Sequence, residues 1–281
     1  MGKTLQTEES SKVPPSEGFR EAYILHLADT ALILGQRNAE WCGHGPVLEQ
    51  DIAITNISLD LIGQARNFYQ YAAQLINESQ KAEGSQVSTA GEDLVEASED
   101  SLAYLRTEKE FKNLLLVELP KGDWAQTILR QFLFSQYQYL LFQQLQNSKN
   151  EQLAAIAVKS LKEVTYHVRW SSEWVIRLGD GTEESNSRIK KAVDELWNYT
   201  GEMFTPAGYE KKSEIDFAKL KAEWEENVNK VFEDATLIPP SGGEGDTFMQ
   251  TGGKDGMHTE YLGTILTDLQ YLQRTYPGAE W

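Results

Sequence analysis

Apolar residues recur at helical spacing in several long segments of the chain. In the first, residues 23–40, they stand at positions 24, 25, 28, 31 and 32, on one face of a helix. The same reasoning predicts long helices over 47–76, 124–146 and 151–178, further helices over 183–199, 214–233 and 257–276, and one or two short helices within 102–117. No alternating run of β-branched residues bounded by hairpin turns indicates a strand. The pattern therefore predicts an all-α protein, with four long helices and additional ones in one domain.

Turn residues and polar stretches separate these helices. Two glycines and a proline interrupt the pattern at 41–46, and Asp123 and Thr182 are expected to cap the helices that follow them. Residues 1–18 are polar and contain two adjacent prolines, which predicts a flexible tail before a single helical domain at 19–281. Residues 81–101 and 237–256 are expected to be loops.

Composition and charge narrow the classes of function. The chain has 281 residues and a formal net charge of −17, a field that repels phosphate backbones and anionic lipid headgroups. Nucleic-acid and membrane partners are therefore not expected. The single cysteine, Cys42, excludes a disulfide framework. There is no run of 18 apolar residues and no apolar core of a signal peptide, which predicts a cytoplasmic location.

Glu163 and His167 stand one helical turn apart in the fourth long helix and suggest the inward-facing ligands of a di-iron bundle. Such a site takes a carboxylate from each of two helices and a Glu-x-x-His pair from each of the other two. Here the spacing is four, with Val164 three residues before the histidine. An intrahelical hydrogen bond between Glu163 and His167 is the favoured interpretation, with metal contact as the alternative.

The second and third long helices lack most of the remaining ligands. The second offers Asp60, but Gly63 stands where a histidine is expected, and a glycine there is expected to let two helices approach closely. The third, 124–146, contains no Asp or Glu and carries glutamines instead. Iron prefers anionic oxygen donors, so neutral amides substitute poorly.

The first helix carries one acid among apolar neighbours, Asp29. It is expected to pair with His26 or with a polar group on another helix, with metal ligation as the alternative. Too few ligands remain for a working site, so we expect no catalytic residue and no functional metal centre in this chain. The degenerate ligand positions are Asp29, Asp60, Glu163 and His167.

A local positive cluster stands out in this very acidic chain. Arg106, Lys109 and Lys112 are spaced by three and would share one face of a helix. Solvated surface is the favoured interpretation, and contact with an anionic ligand or partner is the alternative. The candidate substrate-binding segment consists of Arg106, Lys109, Glu110, Phe111, Lys112 and Asn113.

Several longer motifs resemble the C subunits of bacterial phenylacetyl-CoA epoxidases, the PaaC family. They are LGQRNAEWCGHGP at 34–46, NISLDLIGQAR at 56–66, EFKNLLLVE at 110–118, KEVTYHVR at 162–169, LGDGTEE at 178–184, GMHTEYLG at 256–263, QYLQR at 270–274 and YPGA at 276–279. The tail and a polar insertion at 82–98 depart from the resemblance.

The resemblance implies a ferritin-like four-helix bundle with additional helices. It also implies a place beside a catalytic A subunit that holds the di-iron centre, with the B subunit as a further expected partner and no cofactor in this chain. In that family the complex uses dioxygen and electrons from a reductase to epoxidise the ring of phenylacetyl-CoA in aerobic phenylacetate catabolism.

A non-catalytic structural subunit is therefore the expected function. The alternatives are a chain that binds iron and oxidises substrate itself, and a homodimeric module that binds acyl-CoA. The cluster of Arg106, Lys109 and Lys112, with its neighbours in the segment 106–113, is the candidate for contact with the phosphates of CoA or with an acidic partner.

Overall fold

The computed structural model describes residues 17–84, 96–240, 248–277 and 279, and within those ranges it contains helices and no strand. The four long helices are α1 (Glu17–Ala39), α2 (Leu48–Gly84), α5 (Trp124–Leu145) and α6 (Glu151–Gly179). The shorter ones are α3 (Glu99–Tyr104), α4 (Leu115–Glu118), α7 (Glu183–Leu196), α8 (Phe217–Asp234) and α9 (Glu260–Thr275). None of these helices is long and apolar enough to cross a bilayer. The predicted all-α class is confirmed.

Two hairpins of long helices form the bundle. Short turns join α1 to α2 and α5 to α6, so each pair is antiparallel. Helices α2 and α5 run parallel, because Gln64 bonds to Gln138 and, one turn further along both helices, Phe68 lies against Phe142. Parallel neighbours need a long crossover, which the chain between α2 and α5 supplies. This single crossover is the ferritin-like arrangement that the resemblance implies.

Helix ends follow the predicted caps where a capping side chain is present. The Asp123 carboxylate accepts a hydrogen bond from the backbone N–H of Gln126, and the Thr182 hydroxyl accepts one from Ser185. Helix α2 continues eight residues past the predicted end. The prediction stopped too early because the last two turns of the helix are polar and carry no apolar pattern. Residues 85–95, most of the predicted polar insertion, lie outside the described residues.

The structure describes little of the predicted N-terminal tail. Residues 1–16 lie outside the described residues, while α1 already begins at Glu17, so the tail stays a prediction for the part before the helix.

Between residues 99 and 118 the structure has three short helical pieces, α3, a 3₁₀ turn at Glu108–Glu110 and α4. The pattern predicted one or two.

Helices α1 and α5 form the centre of the molecule. From Glu21 to Ala39, and along all of α5, no residue is exposed. The additional elements explain this, because α4 packs on α1, and α7 and α8 pack on α5. Phe132 of α5 stacks on Phe232 of α8 at 6.2 Å between ring centroids, and burying a side chain of that size stabilises by roughly 2–3 kcal/mol.

Glycine permits close helix contact at Gly35 and not at Gly63. A Cβ atom on Gly35 would lie 3.1 Å from the Ile62 side chain and 3.3 Å from the Ser58 carbonyl oxygen, so α1 and α2 touch there. A Cβ atom on Gly63 would meet no atom within 4 Å. The prediction that Gly63 brings two helices together is therefore wrong, because Gly63 lies on the outer side of α2.

Candidate functional site

Two pairs of polar side chains join α2 to α6. Nε2 of His167 lies 3.0 Å from Oδ2 of Asp60, and the Gln64 amide donates to Oε2 of Glu163 at 2.9 Å. The predicted intrahelical bond between Glu163 and His167 is therefore wrong. The spacing of four turns both side chains towards α2, and because α2 and α6 are antiparallel, each finds its own partner on successive turns.

The Asp60–His167 pair lies at the edge of the core. The His167 side chain is fully buried, whereas the Asp60 side chain is 36% exposed. A carboxylate oxygen only accepts hydrogen bonds, so Nε2 of His167 carries the proton in this contact. Asp60 therefore orients the His167 ring, and Nε2 of the ring is already occupied by this hydrogen bond.

Amide side chains of α5 stand where a di-iron bundle supplies an acid. Gln138 donates to Oε1 of Gln64 at 3.0 Å, which extends the Gln64–Glu163 pair across three helices. Nearer the start of α5, Oε1 of Gln131 accepts from Asn38 of α1 at 2.6 Å. An amide both donates and accepts, so these contacts join the helices without adding charge, while Oε1 of Gln138 and Oδ1 of Asn38 are buried without a hydrogen-bond partner.

The remaining donors fit iron poorly. Within the described ranges, no group of three or more His, Cys, Asp or Glu side chains is placed to hold a metal ion. Asp60 and His167 are brought together, but Glu163 is bonded to an amide, and Asp29 belongs to a different network. One acid–imidazole pair among neutral amides lacks the anionic oxygens that iron prefers. The absence of a functional metal site stays a prediction.

Asp29 is buried against an arginine. It forms an ion pair with Arg106, its Oδ1 accepts from the Tyr69 hydroxyl at 2.6 Å, and its Oδ2 accepts from the Lys112 backbone N–H at 2.8 Å. Burial is the largest single influence and would lower the pKa of Arg106, but Asp29, Tyr69 and Glu110 together outweigh it and the pKa is raised. The predicted pairing of Asp29 with a polar group on another helix is confirmed by Tyr69 of α2, while the ion pair with Arg106 comes from a loop.

His26, the other predicted partner of Asp29, bonds elsewhere. Its Nδ1 donates to the Lys112 carbonyl oxygen at 2.7 Å, and its Nε2 lies 3.6 Å from Glu210. Burial lowers the pKa of His26, which favours the neutral ring. The two side chains thus hold the same segment, around Lys112, through separate contacts.

The candidate substrate-binding segment does not present one helix face. Helix α3 ends at Tyr104, and the chain then passes through a 3₁₀ turn at Glu108–Glu110. Arg106 is buried against Asp29, Lys109 is exposed and Lys112 is half-buried. The predicted shared face is wrong, because the chain leaves helical geometry between the first and last of these residues.

The other members of the segment have structural contacts. The Glu110 carboxylate accepts from the backbone N–H and the hydroxyl of Thr107. Phe111 is buried with its ring centroid 4.3 Å from the Arg106 guanidinium, and Asn113 donates to Glu118 at 2.7 Å. Lys109 is exposed, and Nζ of the half-buried Lys112 lies 5.5 Å from the centroid of the Tyr209 ring. Phosphate contact by this segment stays a prediction carried by those two lysines.

A buried ion pair that the sequence did not indicate joins α4 to the start of α9. Oε2 of Glu118 lies 2.8 Å from Nδ1 of His258, and Nε2 of the same ring lies 2.9 Å from the Phe111 carbonyl oxygen. Both partners are acceptors, so both ring nitrogens donate and the imidazolium is the fitting form. Burial is the largest single influence and opposes this charge, but Glu118 and the Phe111 carbonyl oxygen together with Glu108 outweigh it and raise the pKa of His258. The sequence feature that could have indicated this pair is Glu118, an acid that directly follows the apolar residues 114–117.

Two more buried acids fix the segment after α7. Glu210 pairs with Nζ of Lys254 at 2.8 Å. Glu202 accepts from the backbone N–H groups of Leu115 and Gly252, both at 2.8 Å, and burial raises its pKa. These contacts tie residues 200–210 and 252–255 to the bundle. Because they join segments far apart in the chain, no local pattern reveals them.

A cavity of about 770 Å³ lies at the end of the bundle where α5 turns into α6. It is bounded by the first turns of α1, the turn between α5 and α6, and residues 209–215, with Arg20, Lys149 and Lys212 among its lining. None of the predicted site residues lines it. Its walls are held by Gln144, whose amide group exchanges two hydrogen bonds with the backbone of Asp216.

Comparison with known proteins agrees with the motifs in the sequence. The family model described as "Phenylacetic acid catabolic protein" matches residues 8–281. The chain is 43% identical to the C subunit of 1,2-phenylacetyl-CoA epoxidase from Escherichia coli (strain K12) over 265 residues, which are 92% of this chain and 98% of that protein. The chain therefore belongs to the family of phenylacetic acid catabolic proteins and is similar, along nearly its whole length, to the kind of epoxidase subunit that its motifs indicated.

Proposed function

We propose that this chain is a non-catalytic structural subunit of a di-iron monooxygenase that epoxidises the aromatic ring of phenylacetyl-CoA. The catalytic A subunit would hold the di-iron centre, and the B subunit would be a further partner. The name of the similar protein supports the reaction and the existence of other subunits. The structure of the bundle core supports placing the catalytic di-iron centre in the A subunit rather than in this chain.

One observation carries the non-catalytic role: both acids of the polar core between α2, α5 and α6 are already bonded to other side chains. Glu163 is bonded to Gln64, Gln64 to Gln138, and Asp60 to His167. A di-iron centre needs carboxylates from opposite helices that remain available to the metals. Here neutral amides occupy the side that α5 would contribute, and α5 contains no acid.

The same contacts suit a supporting role. Each buried hydrogen bond that is made contributes about 1 kcal/mol, and leaving one partner unpaired costs more. The core therefore favours one fixed spacing of α2, α5 and α6. A partner bundle docked on this chain would be held by a rigid surface rather than by a mobile one.

The specific observation that favours the rival function is the Asp60–His167 pair, with Glu163 one turn away on the same helix face. Isosteric variants separate the two functions. Asp60→Asn and Glu163→Gln keep an oxygen that accepts from His167 and Gln64, but they remove the negative charge that iron needs.

The experiment measures epoxidation of phenylacetyl-CoA by the complex assembled with the Asp60→Asn/Glu163→Gln double variant. A structural subunit predicts turnover within about twofold of the parent complex. At metal sites, replacing a residue that only orients a ligand already costs about 10–100-fold, so a loss of that size or greater would contradict the non-catalytic role. Replacing a ligating carboxylate of the catalytic subunit is the matched control and should abolish turnover.

A further inference from the structure

Helix α9 packs mainly on the additional elements of the fold. Its neighbours are α3, the 3₁₀ turn Glu108–Glu110 and α4. Leu262, Ile265 and Leu266 form its buried apolar side, and the opposite side of the helix is exposed. Elements with few buried contacts open locally before a whole domain unfolds. The contacts at the two ends of α9 therefore decide how readily this helix opens.

The C-terminal end of α9 is held by side chains that bind backbone carbonyl groups. The Gln270 amide donates to the carbonyl oxygens of Ala103 at 3.3 Å and Arg106 at 3.0 Å. The Arg274 guanidinium donates to those of Leu105 and Arg106, at 3.0 and 3.1 Å. An amide does not titrate and an arginine stays protonated, so these contacts do not depend on pH.

The N-terminal end of α9 is held by the buried pair of His258 and Glu118. The Glu118 carboxylate accepts from Nδ1 of His258 at 2.8 Å. It also accepts from the backbone N–H of Thr259, the N-cap residue of α9, at 2.6 Å. Nε2 of the same ring lies 2.9 Å from the Phe111 carbonyl oxygen. Both side chains of the pair are fully buried, so water does not replace a contact that is lost.

The His258 ring makes both contacts only while it carries two protons. A neutral imidazole has one N–H group, so after loss of a proton one of the two acceptors faces an unprotonated nitrogen. Lone pairs then oppose each other at less than 3 Å, either at Glu118 or at Phe111. The protonated ring is thus the form that joins α9 both to α4 and to the segment before it.

The groups around His258 favour its protonated form. Burial is the largest single influence on the pKa of His258 and lowers it, but Glu118, the Phe111 carbonyl oxygen and Glu108 together raise it. Glu202 accepts from the backbone N–H of Leu115 in α4, and burial raises the pKa of Glu202. It gains its negative charge as the pH rises, which also favours the protonated ring.

Histidine is the residue type in this region that ordinarily titrates near neutral pH. The other ionisable groups on the elements around the ring are Arg37, Tyr199, Lys254, Asp255, Glu260 and Tyr261. Their residue types ordinarily titrate below about pH 5 or above about pH 9. A change in the attachment of α9 between these limits is therefore expected to follow His258.

We propose that His258 is a proton-dependent latch, which holds α9 against α4 and releases it as the pH rises. With the ring protonated, both ends of α9 are anchored, and with the ring neutral the contacts of Gln270 and Arg274 remain. Because the closed state binds the proton more tightly, opening becomes more favourable by up to about tenfold per pH unit above about 6.5. The latch also bears on Lys109, since the backbone of Gly256 lies directly against the Lys109 carbonyl group.

Hydrogen–deuterium exchange of the full chain, read by mass spectrometry of its peptides, measures the opening of α9 from about pH 6 to about pH 9. Each exchange rate is divided by the intrinsic rate at that pH, and peptides from α5 report opening of the whole domain. We expect the protection of peptides from α9 to fall by about tenfold relative to α5. A fall that only matches that of α5, or no fall, would overturn the latch.

Three variants separate the latch from general loosening of the fold. His258→Gln keeps a side chain that forms hydrogen bonds but does not titrate, so opening of α9 relative to α5 should become independent of pH. Arg274→Gln weakens the other anchor and should raise exchange of α9 by the same factor at every pH. His44→Gln, at an exposed histidine in the turn between α1 and α2, is the matched control and should follow the parent.

The pH profile of the parent chain is informative even where His258→Gln does not fold, because α9 and α5 are compared within one molecule. Where the variant folds, a fall in α9 protection that persists unchanged in His258→Gln would assign the pH dependence to another group. That result would also overturn the proposal.

Discussion

Nε2 of His167 lies 3.0 Å from Oδ2 of Asp60, so two residues with the chemistry of metal ligands are bonded to each other across α2 and α6. Removing the acid leaves the histidine buried without this acceptor. We expect Asp60→Ala to lower the free energy of unfolding by about 1–3 kcal/mol, measured by urea denaturation. Asp60→Asn keeps an acceptor oxygen and should cost less. Glu226→Ala, at an exposed position of α8, is the control, and equal stability of Asp60→Ala and this control would contradict the importance of the pair.

Arg106 should behave as a structural residue. Its partner Asp29 is fully buried, and breaking a buried ion pair by removing one side costs about 3–5 kcal/mol. Arg106→Ala is expected to lower the free energy of unfolding by that amount, whereas Lys109→Ala, three residues on and exposed, should change it by less than about 0.5 kcal/mol. Chemical denaturation of both variants measures the difference. Similar small losses would mean that Arg106 is not committed to Asp29.

Stability should fall with rising pH through His258. Burial alone would lower the pKa of His258 in the folded chain, but Glu118, the Phe111 carbonyl oxygen and Glu108 together raise it. The folded state therefore binds the proton more tightly than the unfolded state. The resulting stabilisation is complete below the ordinary histidine pKa of about 6.5 and is lost as the pH rises through the raised value. We expect the stability difference between the parent and His258→Gln to shrink as the pH rises above about 6.5.

His26 contributes with the opposite sign. Burial lowers its pKa, so the folded state disfavours the proton and stability is lost as the pH falls below about 6.5. His26 is present in both the parent and His258→Gln. Its contribution to the free energy of unfolding therefore cancels when the two values are subtracted at each pH. A stability difference that stays constant or grows with pH would contradict the assignment of His258 as an imidazolium.

The lysines at 109 and 112 carry what remains of the predicted substrate contact. A charge-assisted hydrogen bond to a phosphate is worth about 1.5–3 kcal/mol, so Lys109→Glu/Lys112→Glu should weaken binding of a CoA ester to the assembled complex by about tenfold or more. Calorimetric titration with a CoA ester measures it. Lys190→Glu/Lys191→Glu, at two exposed lysines of α7, makes the same change in net charge and is the control. Unchanged affinity in the Lys109→Glu/Lys112→Glu variant would remove this segment from the binding site.

Local chemistry made the helices and their caps predictable. Asp123 and Thr182 cap helices because their side chains serve backbone groups only three residues away. The boundaries were missed where local signals end, as in the polar last turns of α2. The all-α class followed from apolar spacing alone, whereas the single crossover came from the resemblance.

The partners of polar residues were much harder to predict. Helical spacing placed Glu163 and His167 on one face, yet each side chain bonds to α2, about a hundred residues earlier in the chain. The same limit hid the pair of Glu118 with His258, since it depends on how distant segments pack. Gly63 shows the complementary error. A glycine in a helix gives the same sequence signal whether it faces a neighbour or solvent, and only the fold distinguishes them.

Iron content of this chain is the most direct test of the central claim that its bundle core is closed to metal. The chain is expressed in iron-supplemented cells, separated from the catalytic subunit and desalted. Elemental mass spectrometry then gives the number of iron atoms per chain. We expect only trace iron in this chain, with the bound iron following the catalytic subunit. About two irons per chain, the content of a di-iron bundle, would contradict the claim.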